Sequence, residues 1–232
     1  MKVFVDADSI AYAAAYAEHP TQMEQTVDGY INGIKEACQS NDIVGFVENP
    51  EGKNNYRKFV AVTRVYKGNR AGKEKPPWLT EAKQYLRQKH GFNFVNAMES
   101  EDACSISAHA LGLDKCYIAA IDKDLHQIPA TFYDYKYKRW KSVTAEEAEY
   151  NLYAQVLSGD STDNIPGVAG MGGKKAEAAL MEADHLPTMC AQVYKDKGYG
   201  YEYFLEQARL IYILRRHGDV FTPVSRETWE AL

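Results

Sequence analysis

The stretch Cys116-Tyr117-Ile118-Ala119-Ala120-Ile121-Asp122-Lys123-Asp124 runs a continuous apolar segment straight into a pair of acids. A short apolar run of this length reads as a strand buried on both faces, the kind that parallel sheets use. The N-terminus repeats the pattern: Val3-Phe4-Val5 ends at Asp6, with Asp8 two residues on. Ile43 to Val47 is a third such run, and Asn93 to Val95 a shorter one. Helical patterns lie between them, at Ser9 to Glu18, Thr21 to Gln39 (with weak points at Gly29 and Gly33), Trp78 to His90 and Glu101 to Leu111. Strands that alternate with helices imply an α/β fold: a mostly parallel central sheet with helices on both faces.

Working outward, Phe59 to Val65 reads as a further strand leading into a basic loop, Tyr66 to Pro77. Thr131 to Tyr135 and Tyr137 to Val143 read as an edge pair, and Thr144 to Leu157 as a helix. The last third is helical, with a Gly-rich turn at Ile165 to Gly173, a helix from Lys174, and further helices across Leu186 to His217. The expected organisation is an α/β core over 1–158, including a short segment at 66–90, and a helical region over 159–232.

The chain has 232 residues, 45% hydrophobic and 25% charged, which is ordinary globular composition. Its net charge of −5 argues against a polyanion partner only on average, because Lys53 to Lys75 carries a net +7. Acids cluster elsewhere, so one surface can meet phosphates and another can hold cations. The 17 tyrosines suit wet binding surfaces, although any single one is more often a half-buried core edge. Cys38, Cys104, Cys116 and Cys190 form no C-x-x-C pair and read as reduced, buried thiols of a cytoplasmic protein. Met1 leads directly into the first strand with no secretion-signal pattern, and no apolar run is long enough to span a membrane.

The acids fall in four groups. Asp6 and Asp8 follow the first strand, and Asp122 and Asp124 follow Cys116 to Ile121. Glu99, Glu101 and Asp102 open a helix, and Asp160 and Asp163 end one. Functional groups of open α/β sheets gather beyond the carboxyl ends of strands. Carboxylates at a helix C-terminus oppose the macrodipole and need compensation. Singly, each group has a plainer reading as a cap or turn residue. Jointly they call for hard divalent cations, Mg²⁺ or Mn²⁺, since no His or Cys is placed for zinc. Two such ions ~4 Å apart activate a water and stabilise a leaving oxygen. The turn Val168-Ala169-Gly170-Met171-Gly172-Gly173-Lys174-Lys175 offers backbone N–H groups and charge to a phosphate backbone; it is not a P-loop, which needs Gly at position 168 and Ser or Thr at 175.

In this order the motifs resemble the 5′–3′ exonuclease and flap endonuclease family, especially its compact bacteriophage members. Tyr66-Lys67-Gly68-Asn69-Arg70 resembles the family's motif at the foot of its helical arch. Glu99-Ser100-Glu101-Asp102-Ala103, Ile121-Asp122-Lys123-Asp124 and Gly159-Asp160 through Gly173-Lys174 resemble three others, the last being long and specific. The resemblance implies a first metal held by Asp6, Glu99, Glu101 and Asp102, and a second held or influenced by Asp122, Asp124, Asp160 and Asp163. It implies phosphate contacts from Lys67 and Arg70, with Asp6 and Asp122 central to the chemistry. It implies a helix–hairpin–helix-like turn in which Gly170, Gly172, Gly173, Lys174 and Lys175 grip duplex DNA and the carbonyls of Val168 and Gly170 hold a K⁺ ion. The expected substrate is a 5′ end, flap or nick of DNA in replication or repair, cut by a monomer. RNA–DNA hybrid is the alternative substrate, and a PIN-type RNA nuclease the nearest rival. A haloacid-dehalogenase-like phosphatase, with Asp6 as nucleophile, explains fewer of the motifs. Three departures stand out: Glu48 lies where the family carries Asp, Glu101 where many relatives carry Asp, and the arch segment is short and holds Pro76-Pro77.

Overall fold

Val3, Val5, Val47 and Ala119 are wholly buried because their strands lie inside one sheet. The computed structural model describes residues 1–52, 54–181 and 183–232; Lys53, part of the basic stretch, lies outside the described residues. The elements are β1 (Lys2–Asp6), α1 (Asp8–Ala14), α2 (Pro20–Cys38), β2 (Ile43–Glu48), α3 (Arg57–Val60), α4 (Leu79–His90), β3 (Asn93–Val95) and α5 (Ser100–Leu111). They continue with β4 (Cys116–Ala119), β5 (Thr131–Asp134), β6 (Arg139–Ser142), α6 (Ala145–Ser158), α7 (Gly173–Met181), α8 (Leu186–Asp196), α9 (Tyr201–Ile211) and α10 (Arg226–Ala231). Two compact units result. The first comprises Met1–Asn55, Lys73–Thr144 and Ile213–His217; the second comprises Tyr56–Gly72, Ala145–Tyr212 and Gly218–Leu232.

The first unit is a six-stranded sheet in the order β3-β2-β1-β4-β5-β6. All neighbours are parallel except the hairpin β5–β6, so the expected edge pair is present. Helices cover both faces. On one face α1, α2 and α4 bury Ile10, Ala11, Val27, Ile31, Ile34 and Leu86 against Val3, Val5 and Val47. On the other, α5 packs on β1, β2 and β4. Gly45 in β2 is there for space: a Cβ would stand 2.1 Å from the Phe92 ring, which lies flat on the strand.

Helix α2 begins with Pro20 at its first position, where the missing N–H costs nothing, and His19 Nδ1 accepts from Gln22 N. Its buried stripe is Met23, Val27, Ile31, Ile34 and Cys38, and it runs unbroken through Gly29 and Gly33. A Cβ at either glycine meets nothing within 4 Å. Gly29→Ala and Gly33→Ala are each expected to stabilise the protein by about 0.5–1 kcal/mol, read as a higher denaturation midpoint. A lower midpoint in both would mean that the glycines serve packing after all.

The second unit is helical. Helix α6 packs against α7, α8 and α9. Tyr194 is fully buried and donates its hydroxyl to the Val156 carbonyl at 2.6 Å. Between α6 and α7 the chain folds back so tightly that a Cβ on Gly167 would lie 2.4 Å from Gly159 N; Gly159 and Gly167 both have positive φ (70° and 61°). Two expectations are corrected here. Phe59–Val65 is not a strand: α3 ends at Val60, and the Glu206 carboxylate takes the N–H groups of Val62 and Thr63 that a ladder would need. The helical reading of Leu186 to His217 fails past Ile211, where α9 ends and Tyr212 turns extended. The four cysteines are free and buried. No helix among the described residues is long and apolar enough to cross a membrane.

Candidate active site

Strand β1 lies between β2 and β4, and the chain leaves it in both directions across the sheet. The carboxyl end of such a strand is the switch point where open α/β sheets place ligands. Asp6 is the last residue of β1 and only 1% exposed. Ser100 Oγ, at the start of α5, lies 2.6 Å from Asp6 Oδ1 and 2.8 Å from Asp8 Oδ2. One hydroxyl proton serves one carboxylate at a time, so the other is left to a backbone donor alone, Asp8 N for Asp6 Oδ1 or Glu48 N for Asp8 Oδ2. Asp8 N donates to Asp6 at 3.3 Å. Burial first, then the charges of Asp8 and Asp122, push the Asp6 carboxyl up to about 7.

The neighbouring acids are held in different ways. Asp8 Oδ2 accepts from Glu48 N at 2.9 Å, and Oδ1 pairs with Lys83 Nζ. Lys83 Nζ also lies 3.9 Å from Glu48 Oε2, and its side chain is 10% exposed. Glu99 and Asp102 form a capping box at the head of α5. Asp102 is fully buried: Oδ2 accepts from Glu99 N at 3.1 Å and Oδ1 from Leu214 N at 3.0 Å. Both oxygens of Asp102 therefore hold backbone. Glu101 lies 3.4 Å from Ser100 Oγ. Asp122 accepts from Asp124 N at 2.9 Å, tying the turn after β4. Among the described residues no three His, Cys, Asp or Glu side chains are gathered as a coordination sphere. The acids of this unit instead engage Ser100, backbone N–H groups and Lys83.

The second unit holds the remaining acids with the two expected phosphate contacts. Asp163 accepts from Tyr66 Oη at 2.7 Å and Arg70 Nη2 at 2.5 Å, with Lys67 Nζ at 3.6 Å. Lys67 takes the left-handed region at φ 55°, a conformation that persists where surrounding structure imposes it. Its N–H donates to the Asp163 carbonyl at 2.9 Å, which fixes the bend. Asp160 Oδ1 accepts from Thr162 N, and its backbone bridges to Ile165. In the Gly-rich turn, Gly170, Gly172, Gly173, Lys174 and Lys175 are exposed and Val168 is buried. Gln207 Oε1 accepts from Gly167 N at 3.1 Å, and Tyr203 Oη donates to the Gly167 carbonyl at 3.0 Å, so α9 braces the turn.

Two groups escaped the sequence reading. Ser100 reads as an ordinary first-turn residue. Lys83 could have been found, because it falls on the apolar stripe Ala82, Lys83, Leu86 of α4, where a cation needs a partner.

No family model matches the chain, and no curated protein matches it by sequence. Solved structures do. Bacteriophage T5 5′-exonuclease with bound zinc ions superposes with a TM-score of 0.69 at 16% identity, covering 99% of this chain and 96% of that one. The bacteriophage T5 flap endonuclease, in a pseudo-enzyme–product complex with DNA and metal ions, gives 0.70 at 14% identity, covering 100% and 96%. The catalytic core of Rad2 in complex with a DNA substrate gives 0.51 at 19% identity, covering 78% and 60%. At these identities the likeness establishes architecture, and the chain has the fold of the 5′ nucleases.

Proposed function

We propose that this protein is a metal-dependent 5′ nuclease that hydrolyses DNA phosphodiesters at or near 5′ ends with two divalent cations, in replication or repair. The observation that carries the proposal is Asp6: a buried carboxylate at the sheet's switch point, raised to about 7 by burial and by two neighbouring acids. A bound dication relieves that strain directly. The carboxylates and the Ser100 hydroxyl beside it are oxygen donors, which fit Mg²⁺ or Mn²⁺, and burial holds the neighbouring Cys104 as a neutral thiol. Asp6, Glu99, Glu101, Asp122 and Asp124 would supply the ligands, directly or through water. Asp102, engaged by two backbone N–H groups, would act by holding Glu99 and the 213–217 segment in place. When bound, the cations lower the pKa of a water and stabilise the departing oxygen.

The rest is done by the chain's own residues. Lys67 and Arg70 are oriented through Asp163 and would turn to a phosphate whose charge develops in the transition state. Lys174 and Lys175, at the start of α7, would take the backbone of a duplex, and the carbonyls of Val168 and Gly170 a K⁺ ion. A phosphatase reading, with Asp6 attacking phosphorus, gives no role to the Glu99 group, the Asp122–Asp124 pair or the turn from Gly170 to Lys175.

The test is a panel of 5′-flap, nicked and blunt duplexes, with an RNA–DNA hybrid added, in Mg²⁺, Mn²⁺ and EDTA. Cutting of a DNA substrate near its 5′ end is expected with either metal and none in EDTA. Lys67→Ala is expected to slow cleavage about 10²-fold with the affinity for duplex changed little. Absence of any cleavage in both metals would overturn the proposal, and turnover of a generic phosphomonoester without DNA cutting would favour the phosphatase.

A further inference from the structure

Segment 56–65 is built inside out. Its Arg57 is 3% exposed and donates from Nε to the Leu210 carbonyl at 3.0 Å and from Nη2 to the Tyr212 carbonyl at 2.9 Å. From α9, Glu206 reaches back, itself 8% exposed. One of its oxygens accepts from Val62 N at 2.7 Å, Thr63 N at 2.8 Å and Thr63 Oγ1 at 3.1 Å. At its far end Asn164 Nδ2 donates to the Val65 carbonyl at 2.9 Å. Buried ionic groups thus fix the backbone, and the apolar side chains point the other way. Phe59 is 75% exposed, Val62 84% and Val65 74%, three of the four most exposed large apolar residues described. A mobile loop would expose such side chains by default. A pinned loop displays them, and three exposed apolar side chains within seven residues of a fixed backbone mark a contact surface.

Charge decides what the surface contacts. Lys58 and Arg64 are exposed among these apolar residues, and no acid occurs between Gly52 and Lys73. An apolar surface interleaved only with cations suits a polyanion that also presents flat apolar faces. Paired bases are hidden in the duplex stack, whereas unpaired bases offer theirs. We infer that Phe59, supported by Val62, is a stacking platform for an unpaired base of the DNA substrate, with Lys58 and Arg64 taking the adjoining phosphates. The inference rests on the nuclease reading and deepens it, by assigning a place to single-stranded substrate outside the 66–90 segment.

The test uses fluorescence anisotropy in EDTA with two labelled DNA ligands, a blunt duplex and the same duplex carrying a short oligothymidine 5′ extension. Phe59→Ala is expected to weaken binding of the extended ligand about 10-fold and to leave the blunt duplex unchanged, with Phe59→Trp restoring it. A Lys58→Ala/Arg64→Ala variant is expected to lower the salt slope for the extended ligand by about 1.4. Equal binding of both ligands by wild type and Phe59→Ala overturns the platform, as does equal weakening of both. So does a wild-type dimer in sedimentation that Phe59→Ala converts to monomer, since the surface would then join two copies. Cleavage of blunt duplex by the wild type in Mg²⁺ is scored alongside: if it persists, failure of the platform leaves the nuclease reading standing, and if no DNA is bound or cut, the nuclease reading itself has failed.

Discussion

Asp6→Asn is expected to abolish cleavage, by at least about 10³-fold, and at the same time to raise the melting temperature of the metal-free protein at pH 8. The catalytic loss follows from removing an anionic ligand at the switch point. The gain in stability follows from the same burial. Folded Asp6 titrates at about 7, against 3.8 for an unperturbed carboxyl. A carboxyl raised in this way favours the folded state fully below its unfolded pKa, and that contribution is lost as pH rises from about 4 through about 7. At pH 8 the folded protein therefore carries a buried, ionised Asp6 beside Asp8 and Asp122, at a cost of about 4 kcal/mol. Asparagine keeps the shape, still accepts from Ser100 and Asp8 N, and has no charge. At about 2–4 °C per kcal/mol for a chain of this size, the variant should melt several degrees above wild type in EDTA at pH 8 and level with it near pH 4. Saturating Mg²⁺ should close the gap by stabilising wild type alone. If the variant melts below wild type at pH 8 in EDTA, the buried-charge account of Asp6 is wrong.

That two-sided behaviour explains why some of the site was legible in the sequence and some was not. Asp6 and Asp122 could be read because each ends or follows a short apolar run, and a buried parallel strand announces its own carboxyl end. The Gly-rich turn was legible as a turn, whereas the close approach of Gly159 to Gly167, which leaves a would-be Cβ 2.4 Å from backbone, shows only in the fold. What stayed hidden depends on partners far along the chain. Asp102 reads locally as a cap, and only the fold shows that Leu214, 112 residues away, brings it a second backbone donor. Asp163 gives no local sign that Lys67 and Arg70 meet it from more than 90 residues upstream. Phe59–Val65 has the composition of a strand, and only Glu206, 144 residues from Val62, shows where its backbone N–H groups go. Local pattern determines which element forms. It says nothing about which distant side chain satisfies the polar groups that element leaves open.

Lys83 is the sharpest case of such a partner, and its removal should have the largest effect on stability. Its stem lies on the buried stripe of α4 with Ala82 and Leu86, and its ammonium pairs with Asp8 and approaches Glu48 at 3.9 Å. Lys83→Met keeps the stem and deletes the charge. Asp8 then stands beside Asp6 with one cation fewer, and Glu48, whose N–H Asp8 holds, loses the same neighbour. Breaking a buried pair from one side costs about 3–5 kcal/mol, so the metal-free variant should melt roughly 10 °C below wild type. A divalent cation supplies the missing charge. Saturating Mg²⁺ should therefore raise the melting temperature of Lys83→Met more than that of wild type, and the two should converge as the metal is titrated. Lys83→Arg, with a wider fork on the same stripe, should recover only part of the loss. Equal melting of Lys83→Met and wild type in EDTA would show that the lysine is packing alone. A large loss that Mg²⁺ does not reduce would show that Lys83 neutralises acids standing apart from the metal ligands, and Asp8 would then belong to the scaffold under Asp6 rather than to the catalytic charge itself.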